Sequence, residues 1–463
     1  MSDTNPMERL ISSELDTWLN EPIRKALVIR GARQVGKTWL VRDLAARHSL
    51  DLVEVNLERD PDLADLFAEG SPLEIFRDLS LHIGRELRPE TSLLFIDEIQ
   101  VTPAILARLR WFTEELPELP VVAAGSLLEF ALGEEGFSMP VGRMTYRFVE
   151  PMNFEEYLMA HGQKALLNRL HEWAPGQTFS PIAHKKATAF FERYTMVGGM
   201  PAVVSADVEF DQPSKCRRIQ TDLMATYRDD FAKYTGRMDP SLLDLVLIAV
   251  VAQLGDKFVY TRAGAEVKQK QAKQSLELLN LARLITLAPH SASNGIPLAG
   301  SIDPRKRKAI LLDIGLAHAI LRTPALQAFP KLQDLAPTIR GQLTEQLGGQ
   351  QLRSLQPKAG HEPTLHYWQR SGGRAGEMDF VVEINQTVVP IELKAGASGS
   401  MKSLHQFMYD KQLPLAVRID TNPPSTMQVN LTTTQGNPVN YTLLSLPGYL
   451  LFRINNLVGD MKA

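Results

Sequence analysis

The chain has a single cysteine, Cys216, among 463 residues, which excludes a disulfide framework and predicts a reducing compartment. Long hydrophobic runs are also missing: the most apolar stretch, residues 242–254, contains Asp244 and is too short to cross a bilayer. The first residues lack the basic and then apolar pattern of a secretory signal peptide. The histidines are scattered without metal-ligand spacing, so neither a zinc site nor a Ser–His–Asp arrangement is supported. Together these absences predict a cytoplasmic protein that does not use a membrane.

The chain also lacks a large excess of positive or negative charge. The chain carries 50 Lys and Arg residues against 53 Asp and Glu residues, a net charge of −3, so nucleic-acid binding would need local basic patches. Hydrophobic residues make up 44% and charged residues 22%, which are ordinary values for a globular protein. A chain of this length is expected to form about two to four domains, each with its own core.

The strongest motif follows an apolar segment, residues 26–29, that is typical of a buried strand, and it precedes a predicted helix at residues 39–46. It fits the pattern G-x-x-x-x-G-K-[ST]. In this pattern the glycines let backbone N–H groups surround phosphates, the lysine reaches the β- and γ-phosphates, and the final hydroxyl binds Mg²⁺. The motif predicts an ATP site made of Gly31, Ala32, Arg33, Gln34, Val35, Gly36, Lys37 and Thr38.

Two further strand ends predict the rest of this site. Residues 92–98 form an apolar run that ends in Asp97 and Glu98. Because ligands of open α/β sheets bind at the carboxyl ends of the strands, Asp97 is expected to hold Mg²⁺ and Glu98 to polarise the attacking water. The next strand, residues 120–126, ends in Ser126, a candidate sensor of the γ-phosphate. Strands that alternate with helices predict a parallel sheet covered on both faces.

With these motifs the chain resembles the AAA+ ATPases, and most of all a bacterial and archaeal subgroup whose C-terminal domain, of uncharacterised function, has a restriction-endonuclease-like core. The resemblance rests on residues 31–38, 93–100, 125–126, 142–143, 151–157 and 198–201. It implies a P-loop α/β domain at residues 1–155 and a helical lid with its connector at 156–235. It also implies that Arg143 is an arginine finger acting in trans, and therefore a homo-oligomer, commonly a ring such as a hexamer. Arg147 is a competing candidate, and the alternative for Arg143 is a surface arginine or an intramolecular salt bridge.

Residues 236–300 predict a winged helix-turn-helix, because helices at 242–254 and 267–282 are followed by a β-prone segment and the hairpin signal Asn294-Gly295. In that fold the second helix enters the DNA major groove. A dense basic run follows and could clamp phosphates. The predicted DNA contacts are Lys268, Lys270, Lys273, Arg305, Lys306, Arg307 and Lys308. A protein-contact role for the winged helix, and an exposed linker for the basic run, are open alternatives.

A second informative motif lies in residues 301–463. A predicted hairpin brings Asp379 beside Glu392 and Lys394, whose side chains share one face because strand side chains alternate. Carboxylates can bind Mg²⁺ or Mn²⁺, and Lys394 can stabilise the attacked phosphate. The arrangement resembles the PD-(D/E)XK nuclease family, to which restriction endonucleases belong. That resemblance adds Glu345, on the preceding helix, as a metal ligand and implies a restriction-endonuclease-like α/β domain.

These predictions combine into one hypothesis: an AAA+ ATPase that couples Mg–ATP hydrolysis to DNA binding, remodelling or metal-dependent cleavage. The alternative is a regulatory ATP-binding switch whose nuclease-like domain binds protein or nucleic acid without cutting, because this fold also serves as a binding platform. A protein-remodelling ATPase is disfavoured, since no substrate-threading aromatic loop is evident in the sequence.

Overall fold

A computed structural model of the chain describes residues 7–126, 128–132, 142–234, 238–323, 331–356, 360, 362–370 and 376–461. In these ranges, no helix combines the length and the apolar character needed to pass through a bilayer. The described residues form two β-sheets with a helical region between them in the chain.

The N-terminal sheet has five parallel strands, and its three central strands are almost entirely buried because apolar side chains cover both faces. In chain order the strands are β1 Ala26–Arg30, β2 Asp51–Asn56, β3 Ser92–Asp97, β4 Val121–Gly125 and β5 Met144–Phe148. Their spatial order is β2-β3-β4-β1-β5. The strand that leads into the phosphate loop therefore lies between β4 and β5, and the polar ends of β3 and β4 meet beside it.

Helices cover both faces of this sheet. Those described are α1 Ser12–Leu19, α2 Lys37–Arg47, α3 Leu63–Ala68, α4 Pro72–Ile83, α5 Ala104–Glu115 and α6 Leu128–Leu132. Successive residues of β1 enter different apolar clusters: Leu27 and Ile29 pack on one face, and Ala26 and Val28 on the other. This alternation is what the two-residue period of a strand dictates.

The helical region after β5 is composed of α7 Phe154–Ala160, α8 Lys164–Glu172, α9 Pro181–Val197, α10 Pro201–Phe210 and α11 Pro213–Tyr234. Its first helix begins at a capping box: the Asn153 side chain accepts from the Glu156 N–H at 2.9 Å, and the Glu156 carboxylate accepts from the Asn153 N–H at 3.0 Å. Glu156 also accepts from the Arg9 guanidinium at 2.9 Å, so the N-terminal segment is fastened to the start of α7.

The next unit contains α12 Pro240–Ala252, α13 Gln269–Leu281, β6 Ile285–Ser291, β7 Ile302–Leu311 and α14 Ile314–Ile320. Strands β6 and β7 pair antiparallel, and Lys257 forms an isolated bridge to Lys308 of β7. Two helices followed by a hairpin is the element order predicted for a winged helix. The predicted domain boundary between residues 300 and 301 falls within the connection of this hairpin. The basic run belongs to strand β7 and is not a linker.

The last part of the chain contains α15 Pro337–Ser354, β8 His366–Gln369, β9 Glu377–Ile384, β10 Thr387–Leu393, α16 Lys402–Lys411, β11 Leu415–Asp420, β12 Ser425–Thr432, β13 Pro438–Pro447 and α17 Ile454–Asp460. The strands of this second sheet lie in the order β12-β13-β11-β10-β9-β8-β6-β7. Strands β9 and β10 form a hairpin whose turn residues Asn385 and Gln386 both have positive φ, and α16 returns the chain to β11, parallel to β10.

The carboxyl-terminal turns of α15 connect several of these units through buried polar side chains. The Gln351 amide accepts from the Phe154 N–H at 3.0 Å and donates to the Tyr194 hydroxyl at 2.8 Å. Two residues later, the Arg353 guanidinium forms an ion pair at 2.6 Å with Glu150, which follows β5. One helix of the C-terminal part therefore contacts the N-terminal sheet and the helical region together.

Candidate active site

The phosphate loop joins β1 to α2 and needs glycine at two positions for different reasons. A Cβ atom at Gly31 would lie 2.4 Å from the carbonyl oxygen of Val149, so only glycine permits this approach to the end of β5. Gly36 has φ of 97°, in the left-handed region where a Cβ atom is costly. Helix α2 begins at the next residue, Lys37, and the N–H groups of its first turn lack intrahelical acceptors. The loop and this helix end form a phosphate-binding cradle.

The loop is held from two sides by other parts of the chain. Arg9 donates to the carbonyl oxygen of Val35 at 2.9 Å, and the Tyr227 hydroxyl of α11 donates to the carbonyl oxygen of Arg33 at 2.7 Å. The Arg33 guanidinium pairs with Asp230 of α11 at 2.6 Å. Arg33, which was predicted as part of the ATP site, therefore lies in the loop with its backbone, while its side chain binds α11.

Lys37 is buried, with 8% of its surface exposed. Its ammonium donates to the carbonyl oxygens of Gly31 at 3.0 Å and Ala32 at 2.8 Å. Burial lowers the pKa of Lys37 to about 8, although the carboxylates of Glu98 and Asp97 act in the opposite direction. The ammonium is therefore poised to gain an anionic partner, because phosphate oxygens would stabilise its charge better than two neutral carbonyl groups.

The pair predicted to bind Mg²⁺ is in direct contact. The Thr38 hydroxyl donates to the Asp97 carboxylate at 2.9 Å, across the gap between α2 and the end of β3. Burial raises the pKa of Asp97, and this hydrogen bond partly offsets the rise. A hydroxyl and a carboxylate beside a phosphate cradle are oxygen donors of the kind that Mg²⁺ prefers, so the residues fit the ion.

Glu98 follows Asp97 with φ of 53°, which turns its side chain away from the direction of the strand. Its Oε2 atom accepts from the Gln100 amide at 2.6 Å and from the Ser126 hydroxyl at 3.2 Å. Ser126, predicted as a γ-phosphate sensor, therefore contacts the predicted water-polarising carboxylate. Gln100 ends the segment 93–100 that carries the family resemblance, but the sequence did not indicate its contact with Glu98.

The two candidate arginine fingers have different environments. Arg147 is almost completely buried and forms an ion pair at 3.1 Å with Glu14 of α1, so it is occupied within its own chain. The side chain of Arg143 is 58% exposed and has an ion contact at 3.2 Å with Glu114. It precedes β5 and therefore lies at the amino-terminal end of the parallel strands, whereas the phosphate loop lies at their carboxyl-terminal end. The length of β5, about 16 Å, separates it from the ATP site of its own chain.

A buried charge cluster next to the phosphate loop was not predicted. Glu129 of α6 accepts from Arg30, the residue before the loop, at 3.1 Å, and from Arg283, which follows α13, at 2.6 Å. Both guanidinium groups lie over the ring of Phe148. Arg283 also has positive φ, a backbone conformation that is about 1–2 kcal/mol less favourable for a residue with a Cβ atom. The cluster joins α13 to the ATP site through residues that are far apart in sequence.

The predicted DNA contacts separate into an exposed and a buried group. Lys268, Lys270 and Lys273 are exposed at the start of α13, and Arg305 is exposed on β7. A groove of about 580 Å³ lies between these two elements. Its cationic and aromatic lining consists of Lys257, Phe258, Tyr260, Lys273, Arg305 and Arg307. Arg307 is partly neutralised by an ion pair with Glu277, and Lys306 is half-buried.

The prediction for Lys308 is wrong. This residue is completely buried, because its position in β7 points the side chain inward, and it cannot reach a phosphate. Its ammonium forms ion pairs with Glu345 of α15 and Glu377 of β9. Sequence reasoning missed Glu377 altogether and assigned Glu345 to a metal ion. One carboxylate oxygen each from Glu345, Glu377 and Asp379 lie within 4.8 Å of one another.

The hairpin brings the other predicted residues of this region together. Asp379 accepts from the Leu393 N–H at 2.6 Å, and Lys394 forms an ion pair with Glu392. Burial, assisted by the charge of Asp379, raises the pKa of Glu392 to about 7. The Oε2 atom of Glu392 is buried without a hydrogen-bond partner among the described residues. The Asp379, Glu392 and Lys394 side chains therefore share one site, as the spacing predicted.

Comparisons with known proteins divide the chain into three matched segments. Residues 23–158 match a family described as an AAA domain. Residues 188–327 and 340–433 match two families that are each described as a domain of unknown function, DUF8612 and DUF4143. No curated protein matches the chain. A solved structure of the Aeropyrum pernix Orc1 protein in complex with DNA is 15% identical, with 70% of this chain and 94% of that chain covered. The TM-score of this pair is 0.26.

The AAA match contains the phosphate loop, the Thr38–Asp97 pair and Glu98, and the five-stranded parallel sheet fits a P-loop AAA+ domain. The N-terminal part of the chain is therefore an AAA+ ATPase domain, for which a bound nucleotide and Mg²⁺ are typical. The segment 188–327 includes both strands of the β6–β7 hairpin.

Proposed function

We propose that the chain is an ATPase that couples Mg–ATP hydrolysis to the binding and remodelling of DNA. The AAA match and the contact between Thr38 and Asp97 support the ATP chemistry. The DNA part rests on the groove between α13 and β7, where cations from two distant segments of the chain, Lys273 and Arg305, line one concave surface. Such a surface suits a phosphate backbone, which attracts lysine and arginine without regard to sequence.

In this proposal each residue of the ATP site has one task. The Lys37 ammonium leaves two carbonyl groups to bind phosphate oxygens, and Thr38 and Asp97 hold Mg²⁺, which neutralises charge on the phosphates. Glu98 orients and polarises the attacking water, and its hydrogen bond from Ser126 holds its carboxylate in position. Arg143 of a neighbouring subunit completes the site, which makes assembly a condition of full activity.

The test is ATP hydrolysis by the purified chain with single-stranded, duplex, forked and four-way DNA, with the Glu98→Gln variant as background. Stimulation by one of these structures is expected, and it would identify the preferred substrate. A rate that does not respond to any of them would contradict coupling to DNA.

The groove is tested separately by the salt dependence of DNA binding. For duplex DNA, each phosphate contact adds about 0.9 to the slope of log K against log salt. Replacing Lys273 and Arg305 together with glutamine should therefore lower the slope by about 2. The matched control is Arg218→Gln, an exposed arginine on α11 that does not line the groove. Equal slopes for the two variants would exclude the groove as the DNA site.

A second candidate function is a regulatory ATP switch whose restriction-endonuclease-like C-terminal domain binds protein or nucleic acid without cutting. The observation that favours it is the buried Lys308 ammonium among the carboxylates of that domain. An ATPase rate indifferent to DNA would favour this candidate, and a protein partner would then be sought.

A further inference from the structure

We infer that Lys308 is the resident cation of the C-terminal carboxylate cluster, and that it replaces a divalent metal ion between Glu345, Glu377 and Asp379. The comparison with metal-dependent nucleases rests on the proposed restriction-endonuclease-like domain. The position of the ammonium itself does not depend on that proposal or on DNA binding.

The geometry already supplies a cation at this point. The Lys308 ammonium pairs at 2.5 Å with Glu345 and also with Glu377, and the side chain is completely buried. It lies 5.2 Å from the centre of the Tyr367 ring, whose π face attracts cations. A metal ion bound by the carboxylate cluster would compete with this ammonium for Glu345 and Glu377.

The backbone keeps this lysine in place. Lys308 lies in the middle of the β6–β7 pairing, opposite Ala288, and it also has the bridge to Lys257. Burial alone would lower the pKa of Lys308, but the nearby carboxylates of Glu345, Glu377 and Asp379 raise it well above its ordinary value. The ammonium is therefore placed as the counter-ion of Glu345 and Glu377.

The replacement changes what the site can do. An ammonium neutralises carboxylates, but it has no open coordination position and cannot generate a bound hydroxide as a metal ion does. Glu345 is then unavailable as a metal ligand, contrary to the sequence-based expectation. The carboxylates that contact Lys308, Glu345 and Glu377, therefore do not fit a metal ion, and a metal ion bound by Asp379 and Glu392 would lack Glu345 as a ligand.

The test is manganese binding by the full-length, nucleotide-free chain, followed by electron paramagnetic resonance of free Mn²⁺. All proteins carry Asp97→Asn so that the ATP site does not contribute. Four proteins are compared in this background: one without a further change, one with Glu345→Gln, one with Lys308→Met, and one with both substitutions. Lys308→Met keeps an unbranched apolar side chain in the buried space while removing its charge.

We expect Glu345→Gln to leave Mn²⁺ binding unchanged while Lys308 is present. Lys308→Met should bind one additional Mn²⁺ per chain, and the double variant should lose it. The inference would be overturned if the protein with Lys308 bound Mn²⁺ and the Glu345→Gln change abolished that binding. It would also be overturned if Lys308→Met folded but bound no additional Mn²⁺. If circular dichroism shows that Lys308→Met does not fold, the Glu345→Gln comparison alone decides.

Discussion

The affinity for ATP should depend on pH through Lys37. The ammonium of this residue is buried against two carbonyl groups, and burial lowers its pKa to about 8 in the nucleotide-free chain. Phosphate charge raises the pKa in the complex, so binding above pH 8 takes up a proton and the affinity falls as pH rises. With a free-state pKa of about 8, roughly half of the chains carry the proton at pH 8 and about one in eleven at pH 9.

The dissociation constant for ATP should therefore rise about fivefold to sixfold between pH 8 and pH 9, and by less than twofold between pH 7 and pH 8. The assay is a titration with a fluorescent ATP analogue in Mg²⁺ at constant ionic strength from pH 7 to pH 9.5. Lys37→Arg is the control, because a guanidinium group does not titrate in this range. A dissociation constant that stays flat for the wild-type chain would refute a depressed pKa at Lys37.

Three further predictions concern the same domain. Glu98→Gln should bind ATP normally but hydrolyse it about 10²–10⁴-fold more slowly; turnover at the wild-type rate would remove Glu98 from the reaction. Arg143→Ala should lower turnover on the order of 10³-fold in assembled protein, measured beside ATP binding, which should not change. Normal turnover by the assembled variant would exclude the finger. Glu129→Gln removes the ion-pair partner of Arg30 and leaves the buried Arg283 guanidinium with only the longer contact to Glu362 at 3.3 Å. Breaking a buried pair costs about 3–5 kcal/mol, so unfolding should begin at a lower temperature in a thermal scan, and an unchanged scan would contradict this.

Local motifs made the ATP site predictable. The phosphate loop is encoded in eight consecutive residues, and the carboxylates of Asp97 and Glu98 end an apolar run that is recognisable by composition. Because parallel strands place their carboxyl ends at one edge, sequence reasoning could also bring Thr38 and Asp97 to the same place. Their contact at 2.9 Å agrees with that expectation.

Lys308 was not predictable because a run of cations does not reveal which of its members face inward. In a strand, alternate residues point to opposite faces, so Arg305 and Lys308 have opposite environments despite their proximity in sequence. Similarly, no local pattern connects Arg283 to Glu129, because 154 residues separate them in sequence and only the tertiary fold brings them together.

The polar end of α15 limits how this protein can be divided for experiments. A chain truncated before α15 would keep the whole AAA match but lose Gln351 and Arg353. The Glu150 carboxylate would then lack its ion-pair partner, and the Phe154 N–H would lose its acceptor at the start of α7. Such a fragment would expose polar groups that the intact chain satisfies internally. Its weak activity or insolubility would reflect missing support for the fold, so the contribution of the C-terminal part to ATP turnover is better measured with point substitutions than with deletions.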